Sequence, residues 1–398
     1  MSHCLFLRSF IEVNMKKILI IIPYFGVGGT TSSLKAFLDN VDTSQLKVDI
    51  FARKRHGVYL GAYENCTILS ENFFLSSQLY SGNVIKRTMC RSLHLFQCGL
   101  SRIGLSILPI VCKIGGNQMH TQEYDAVISY QESMSGFLSY IPAKKRIAWI
   151  RSEYERYLKV GGGKDESKFF KKIDTVVAVS DFAKLSFLKV HPWHPNVITI
   201  NNYMNIEDVR ERSKDKSQID TQFEKGDFTI VSVGRISPVK QFEKIPSILH
   251  DVRKRTGKDV RWYIIGGARG FNELEQQINA DVEKFELKDS FKILPETSNP
   301  FAYMAEADLF VHTSESETYS RVVAEAKSVG TPVVVNNFAA AYEFVKDGEE
   351  GLIVPIEEMP ENISTLIADP KKMLYFMNNL LNYTWDNKKI MERTIKLL

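Results

Sequence analysis

The sequence predicts an α/β protein made of two doubly wound parallel-sheet domains. Three observations lead there. Short apolar, β-branched runs alternate with helical stretches in both halves; a polar, charged stretch at 210–226 reads as a linker between the two series; and 398 residues, 44% hydrophobic and 25% charged, suit two domains with a core each.

In the first half, the runs at 18–23, 48–52, 126–129, 146–150, 175–179 and 197–200 read as strands. The second series is 229–233, 261–265, 291–294, 309–312, 333–336 and 352–354. Open parallel sheets bind ligands beyond the carboxyl ends of their strands, so two facing domains of this kind are expected to enclose a cleft. Residues 1–14 stand apart as an extra N-terminal arm. Lys16 and Lys17 ahead of an apolar run imitate a signal peptide, yet Pro23 cuts the run short and no small-residue cleavage site follows. No apolar run reaches the roughly 18–20 residues that span a bilayer.

The net charge of +4 is too small and diffuse to point to nucleic acid. Its distribution is uneven: Arg53, Lys54, Arg55, Lys86, Arg87, Arg91, Arg102 and Lys113 face only Glu64 and Glu71 between positions 50 and 120. Over 76–116 the basic residues interleave with leucines and isoleucines, a pattern that suits either an anionic membrane surface or core helices with solvated cations. Cys4, Cys66, Cys90, Cys98 and Cys112 are odd in number with no C-x-x-C pair, which indicates reduced thiols of a cytoplasmic protein rather than a disulfide framework or a zinc site. His191 and His194 in HPWH read as a surface turn, and no D-x-D is present, so no metal is expected.

Three segments carry chemistry. Behind the first strand, Gly26-Val27-Gly28-Gly29-Thr30-Thr31 precedes a helical stretch. Thr31 stands where a dinucleotide fingerprint needs its third glycine, and no acidic residue ends the second strand, which argues against a dehydrogenase. Behind 229–233 comes Gly234-Arg235-Ile236-Ser237-Pro238-Val239-Lys240, with two cations. Gly266 and Gly267 close the following strand, where a nucleotide can approach the backbone.

The third segment, 314–335, sets Glu317 and Glu325 eight positions apart across a strand-to-helix junction. The spacing puts Glu317 in a loop over 313–320 and Glu325 in the second turn of a helix over 321–328, closed by Gly330 and Pro332. Free N–H groups at that helix start, with Thr318 and Ser320 as capping hydroxyls, favour a diphosphate. A plainer reading leaves Glu317 solvated and Glu325 on a surface helix paired with Arg321 at i, i+4.

The segment resembles the E-x7-E of retaining glycosyltransferases with the GT-B fold, the large family numbered four, and the likeness extends over nearly the whole chain. It implies two facing Rossmann-like domains with an interdomain cleft: an acceptor-binding domain over 15–205, a nucleotide-sugar-binding domain over 206–380, and a helix over 381–398 crossing back to the first. By the same resemblance Glu317 contacts the transferred sugar and Glu325 the ribose. Arg235 and Lys240, matching G-R-x-x-x-x-K, neutralise the departing diphosphate without metal. Gly28, Gly29, Gly234 and Gly267 approach the donor, and Asn202 aligns with the family's interdomain Asn. Thr318, Tyr319 and Ser320 replace a segment rich in glycine, keeping its backbone N–H groups. Arg151 occupies a position where many members have His; an always-protonated guanidinium excludes a general base and leaves electrostatics or acceptor binding.

The expected function is transfer of a hexose from a nucleotide diphosphate sugar, UDP-linked, to a saccharide acceptor carried on a lipid at the inner face of the cell membrane, in surface-polysaccharide synthesis. No cofactor is expected beyond the donor. The alternatives are a nucleotide-sugar epimerase of the same fold and a catalytically degenerate binding protein.

Overall fold

The computed structural model describes residues 15–398 apart from 27, 43–45, 58, 64, most of 71–122, 161–166 and 269. The arm at 1–14 and most of the basic stretch at 76–116 therefore lie outside the described residues. The chain divides into two compact units, one running to Met204 and including Asp386–Leu398, the other Asn205–Trp385.

In the first unit the described strands are β1 (Lys16–Tyr24), β2 (Leu46–Lys54), β3 (Thr67–Ile68), β4 (Tyr124–Ser129), β5 (Ala143–Ile150), β6 (Thr175–Ala178) and β7 (Val197–Thr199). They form one parallel sheet in the order β3-β2-β1-β4-β5-β6-β7. Strands covered on both faces read as unbroken apolar runs, and Ile18, Leu19, Ile20, Ile21 and Ile22 are all fully buried. The two-residue β3 is too short to leave a sequence pattern.

In the second unit β8 (Phe228–Val233), β9 (Val260–Ile265), β10 (Phe291–Leu294), β11 (Leu309–His312), β12 (Val333–Asn336) and β13 (Gly351–Val354) form a parallel sheet in the order β10-β9-β8-β11-β12-β13. A buried polar ladder ties its centre: Trp262 Nε1 donates to Ser232 Oγ at 3.1 Å, and that hydroxyl donates to the Val311 carbonyl at 2.7 Å. Each sheet reverses its winding once. β1 pairs with both β2 and β4, and β8 pairs with both β9 and β11. Such a switch point is where an open α/β sheet leaves room for a ligand.

Two expectations need correction. The stretch from 210 is not a free linker, because Arg210 lies in the helix Ile206–Ser213. Asn205 caps that helix through the Asp208 N–H at 3.1 Å, and Ile206 and Val209 are buried at i, i+3. Arg210 then donates to the carbonyls of Ser328 (2.9 Å) and Tyr383 (2.6 Å), which fastens the segment to the second unit. His191 and His194 are also not on the surface. Both are buried in an aromatic cluster, His191 packing at tilted angles against Tyr154, Phe170 and Phe187, and Pro192 and Trp193 of the turn are exposed.

The last helix, Asn387–Leu397, belongs to the first unit. Asn387 brackets Met204, accepting from its N–H at 3.1 Å and donating to its carbonyl at 2.5 Å.

Candidate active site

In the second unit the segments singled out by sequence emerge from the two strands at the switch point. β8 ends in Gly234 and Arg235, and β11 ends in the loop 313–320. Two hydrogen bonds join these segments: Thr313 Oγ1 donates to the Lys240 carbonyl at 2.6 Å, and the Glu315 N–H donates to the Val239 carbonyl at 2.9 Å. This fastening brings Lys240 Nζ onto the carboxylate of Glu317, 77 positions away in the chain.

Glu317 has further partners. Ser314 Oγ donates to its Oε1 at 3.3 Å, and His312 Nε2 lies 3.5 Å from the same oxygen. Burial alone would raise the Glu317 carboxyl, but the Lys240 charge and the His312 contact outweigh it and hold the group at about 2. His312 is fully buried, and burial together with the nearby Lys240 charge pushes its imidazole below the usual histidine range. The site thus pairs a carboxylate with an ammonium beside a neutral imidazole.

The helix Arg321–Ser328 starts where its sequence predicts, with Ser320 at the N-cap position. The capping expectation for Ser320 is corrected: its hydroxyl makes no cap bond and instead lies 3.2 Å from His312 Nε2. The helix N–H groups are accordingly left without that hydroxyl. Thr318 is half-buried in the loop, and Tyr319 turns its ring inward against Trp385 (5.7 Å between centroids) and Phe344 (6.2 Å). The only described non-glycine residues with positive φ are Gln241 and Glu286, and Ser320 has φ −93°. The loop therefore does without left-handed backbone, which removes the steric objection to side chains where the family has glycine.

Glu325 is buried rather than solvated, and Arg321 Nη2 lies 3.3 Å from its Oε1. The i, i+4 pair exists, but it is not a surface pair. Arg235 is exposed and leans over the Phe271 ring, 5.9 Å from its centre, rather than joining Lys240 and Glu317. Gly234 and Gly266 have φ of 152° and 156°, a range that favours glycine. Gly267 accepts at its carbonyl from the Ile236 N–H at 3.1 Å, and a Cβ on it would meet nothing within 4 Å.

In the first unit the candidates gather at the carboxyl ends of β1, β5 and β7. Gly28 caps the helix Gly29–Asn40, its carbonyl accepting from Thr31 Oγ1 (3.1 Å), Ser32 Oγ (2.8 Å) and the Ser32 N–H (3.1 Å). One turn on, Ser33 Oγ donates to Asn202 Oδ1 at 3.2 Å. The same oxygen accepts from Arg151 Nη1 at 2.6 Å, while Arg151 Nε donates to the Tyr130 carbonyl at 2.8 Å and the guanidinium sits 4.0 Å over the Tyr130 ring. Arg151 and Asn202, unrelated in sequence, are thus one bonded pair.

Sequence reasoning passed over His312, Ser314 and Glu132. Glu132, 1% exposed, accepts from the Arg151 N–H at 3.0 Å and from Ser152 Oγ, fixing the backbone that carries Arg151. A polar residue ending an otherwise apolar strand, as His312 ends β11, was the available signal. Among the described residues, no group of three His, Cys, Asp or Glu side chains could hold a metal ion, and no helix is long and apolar enough to cross a membrane.

Residues 213–380 match the family model described as Glycosyl transferases group 1. A D-inositol 3-phosphate glycosyltransferase of Segniliparus rotundus is 29% identical over 151 residues, covering 36% of this chain and 33% of that protein. The N-acetylgalactosamine-N,N'-diacetylbacillosaminyl-diphospho-undecaprenol 4-alpha-N-acetylgalactosaminyltransferase of Campylobacter jejuni is 24% identical over 203 residues, 50% of this chain and 52% of its own. The chain thus spans a third to about half of the length of these curated relatives. In fold it resembles Anabaena Alr3699/HepE, solved in complex with UDP and glucose, with a TM-score of 0.71 over 96% of this chain and 98% of that one at 18% identity. Residues 213–380 thus match the group 1 glycosyl transferase model, within a chain of the GT-B fold.

Proposed function

We propose that this chain is a retaining hexosyltransferase that uses a UDP-sugar and extends a lipid-linked saccharide of a cell-surface polysaccharide. The observation that carries the reading is the bond between Lys240 and Glu317 at the β8/β11 switch point, inside the segment that matches the family model. An ammonium and a carboxylate held there, ahead of the N-terminus of the Arg321–Ser328 helix, suit a diphosphate and the sugar attached to it.

In this reading Lys240 and the exposed Arg235 turn to the diphosphate, and charge-assisted contacts of this sort contribute about 1.5 to 3 kcal/mol each. Freed of Lys240, Glu317 takes the sugar hydroxyls. Glu325, oriented by Arg321, takes the ribose. The bond from the anomeric carbon to the diphosphate breaks, the acceptor oxygen bonds that carbon on the same face, and the acceptor proton leaves with a phosphate oxygen. The two cations supply the positive charge that makes the diphosphate a good leaving group. Gly28, Gly29, Gly234, Gly267 and Asn202 serve the donor through backbone and amide contacts, as do the N–H groups of Thr318, Tyr319 and Ser320. Arg151, unable to act as a base, serves acceptor binding.

The UDP and lipid-linked assignments draw on the names of similar proteins: HepE was solved with UDP and glucose, and the Campylobacter relative is named for a diphospho-undecaprenol substrate. A peripheral position on the inner membrane face follows from such an acceptor. The test is a thermal-shift screen of UDP, GDP, ADP and dTDP sugars, because a selective ligand raises stability by mass action. Incubation of the selected donor with an undecaprenyl-diphosphate saccharide follows, with the anomeric configuration of the product read by NMR. Stabilisation by a UDP-sugar and transfer with retention are expected. Interconversion of the sugar without acceptor, or binding with neither transfer nor hydrolysis, would overturn the reading.

A further inference from the structure

His312 ends β11 with its imidazole fully buried, and its Nε2 lies between two oxygens: Ser320 Oγ at 3.2 Å and Glu317 Oε1 at 3.5 Å. Its Nδ1 is buried without a hydrogen-bond partner among the described residues. A neutral ring with its proton on Nε2 satisfies this arrangement, since the proton is shared between the two oxygens and the bare Nδ1 needs no acceptor. The charged groups facing the ring are Glu317 from the loop and Lys240 from the turn beside it, while Phe310 (6.4 Å) and Phe338 (6.2 Å) pack around the ring.

We infer that His312 is a positioning residue that takes Lys240's place as the charged partner of Glu317, accepting a proton when Lys240 turns from the carboxylate to a diphosphate. The inference rests on the reading of Lys240 and Glu317 as donor-binding residues. Lys240 and His312 share one acceptor, Glu317 Oε1. While the ammonium is bonded there, a second cation would face a repelling neighbour and gain little from a carboxylate already neutralised. Once the ammonium has gone to the diphosphate, a partly buried carboxylate is left beside a titratable base at 3.5 Å. The attraction of opposite charges at that distance works against the cost of burying the charged ring and leaving one Nδ1–H unpaired. The proton comes from solvent and goes to the imidazole; no covalent bond changes. The carboxylate keeps its charge and its place throughout, which is what contact with a sugar hydroxyl requires. Ser320, which does not serve as a helix cap, keeps Nε2 pointing at Glu317.

The test needs no ligand. Imidazole nitrogens are labelled with 15N, the His312 signals are assigned by their loss in His312→Gln, and the ring is titrated by NMR in the parent and in Lys240→Met, which removes the competing ammonium. The parent His312 is expected to remain neutral with its proton on Nε2 at pH 7. In Lys240→Met it is expected to become doubly protonated, with its midpoint shifted upward, and in Lys240→Met/Glu317→Gln to return to neutral. Thermal midpoints establish that each variant is folded, and Lys240→Gln serves as the second variant. A ring that stays neutral in folded Lys240→Met and Lys240→Gln overturns the inference, as does a proton found on Glu317. Neither outcome bears on whether the chain transfers a sugar, which the donor screen decides.

Discussion

Lys327 Nζ lies 2.8 Å from Glu350 Oε2, with 3% and 10% of the two side chains exposed. The ammonium also donates to the Phe344 carbonyl and lies 4.4 Å from the centre of the Tyr383 ring. Burial pushes the Lys327 amine downward, and the Glu350 carboxylate opposes that shift. The pair fastens the helix that carries Glu325 to the segment entering β13.

Breaking a buried pair from one side leaves the other charge uncompensated, so Lys327→Met is expected to cost about 3–5 kcal/mol. Lys327→Met/Glu350→Gln is expected to recover a large part of that loss, because no lone charge remains. Urea unfolding of the parent and both variants reads the difference. A single variant within about 0.5 kcal/mol of the parent, the range of ordinary surface changes, would show that the pair does not hold this helix.

Lys240 and Glu317 act as a unit, and their substitutions should not add. Lys240→Ala is expected to lower kcat by about a hundredfold, the effect of losing one donor to developing charge. Glu317→Ala removes both the ion pair and the proposed sugar contact and is expected to lose at least as much. The double variant should then lose little more than the worse single one. Steady-state kinetics with the donor selected by the screen provides the measurement, and near-normal turnover of Lys240→Ala removes its assignment.

The same pair has a signature in acid. The Glu317 carboxyl sits at about 2 in the folded chain, below its ordinary 4.5. A group with a depressed folded value stabilises the fold fully above its unfolded value and loses that contribution as pH falls toward the folded one. The stability difference between the parent and Glu317→Gln is therefore expected to be constant above about 4.5 and to shift against the parent between 4.5 and 2. Thermal midpoints across that window check the sign. A difference that stays flat would mean that Lys240 does not charge-stabilise Glu317.

Much of this site is legible in the chain because buried parallel strands announce themselves as apolar runs and end in glycine. Gly234 behind β8, Gly266 behind β9 and the polar loop behind β11 mark the carboxyl ends where ligands bind. Contact between Lys240 and Glu317 is not legible without strand order, since it requires β8 and β11 to be neighbours across 77 positions. Side-chain partners chosen by burial are also hidden. Ser320 has the composition of a cap, yet it serves His312; Arg210 looks like a solvated linker residue, yet it bonds two carbonyls. In each case the local rule is sound, and a tertiary partner outcompetes it.

Gly266 and Gly267 separate a structural glycine from a binding one. A Cβ at Gly266 would lie 2.0 Å from the Gly234 carbonyl oxygen, and the residue holds φ 156°. The three nearest atoms, from Gly234 and Arg235, are all backbone, so nothing can turn aside; the ends of β8 and β9 must part, displacing the segment that leads to Arg235 and Lys240. At Gly267 a Cβ meets nothing within 4 Å, and no positive φ restricts the residue. Gly266→Ala is accordingly expected to lower stability by about 1–3 kcal/mol or more, the range for strained backbone. Gly267→Ala should fold like the parent and weaken nucleotide binding alone, since a methyl group would stand where the donor is proposed to approach the main chain. Urea unfolding paired with titration of the selected nucleotide distinguishes the two. If Gly267→Ala binds as tightly as the parent while remaining fully folded, the nucleotide does not pass over the end of β9.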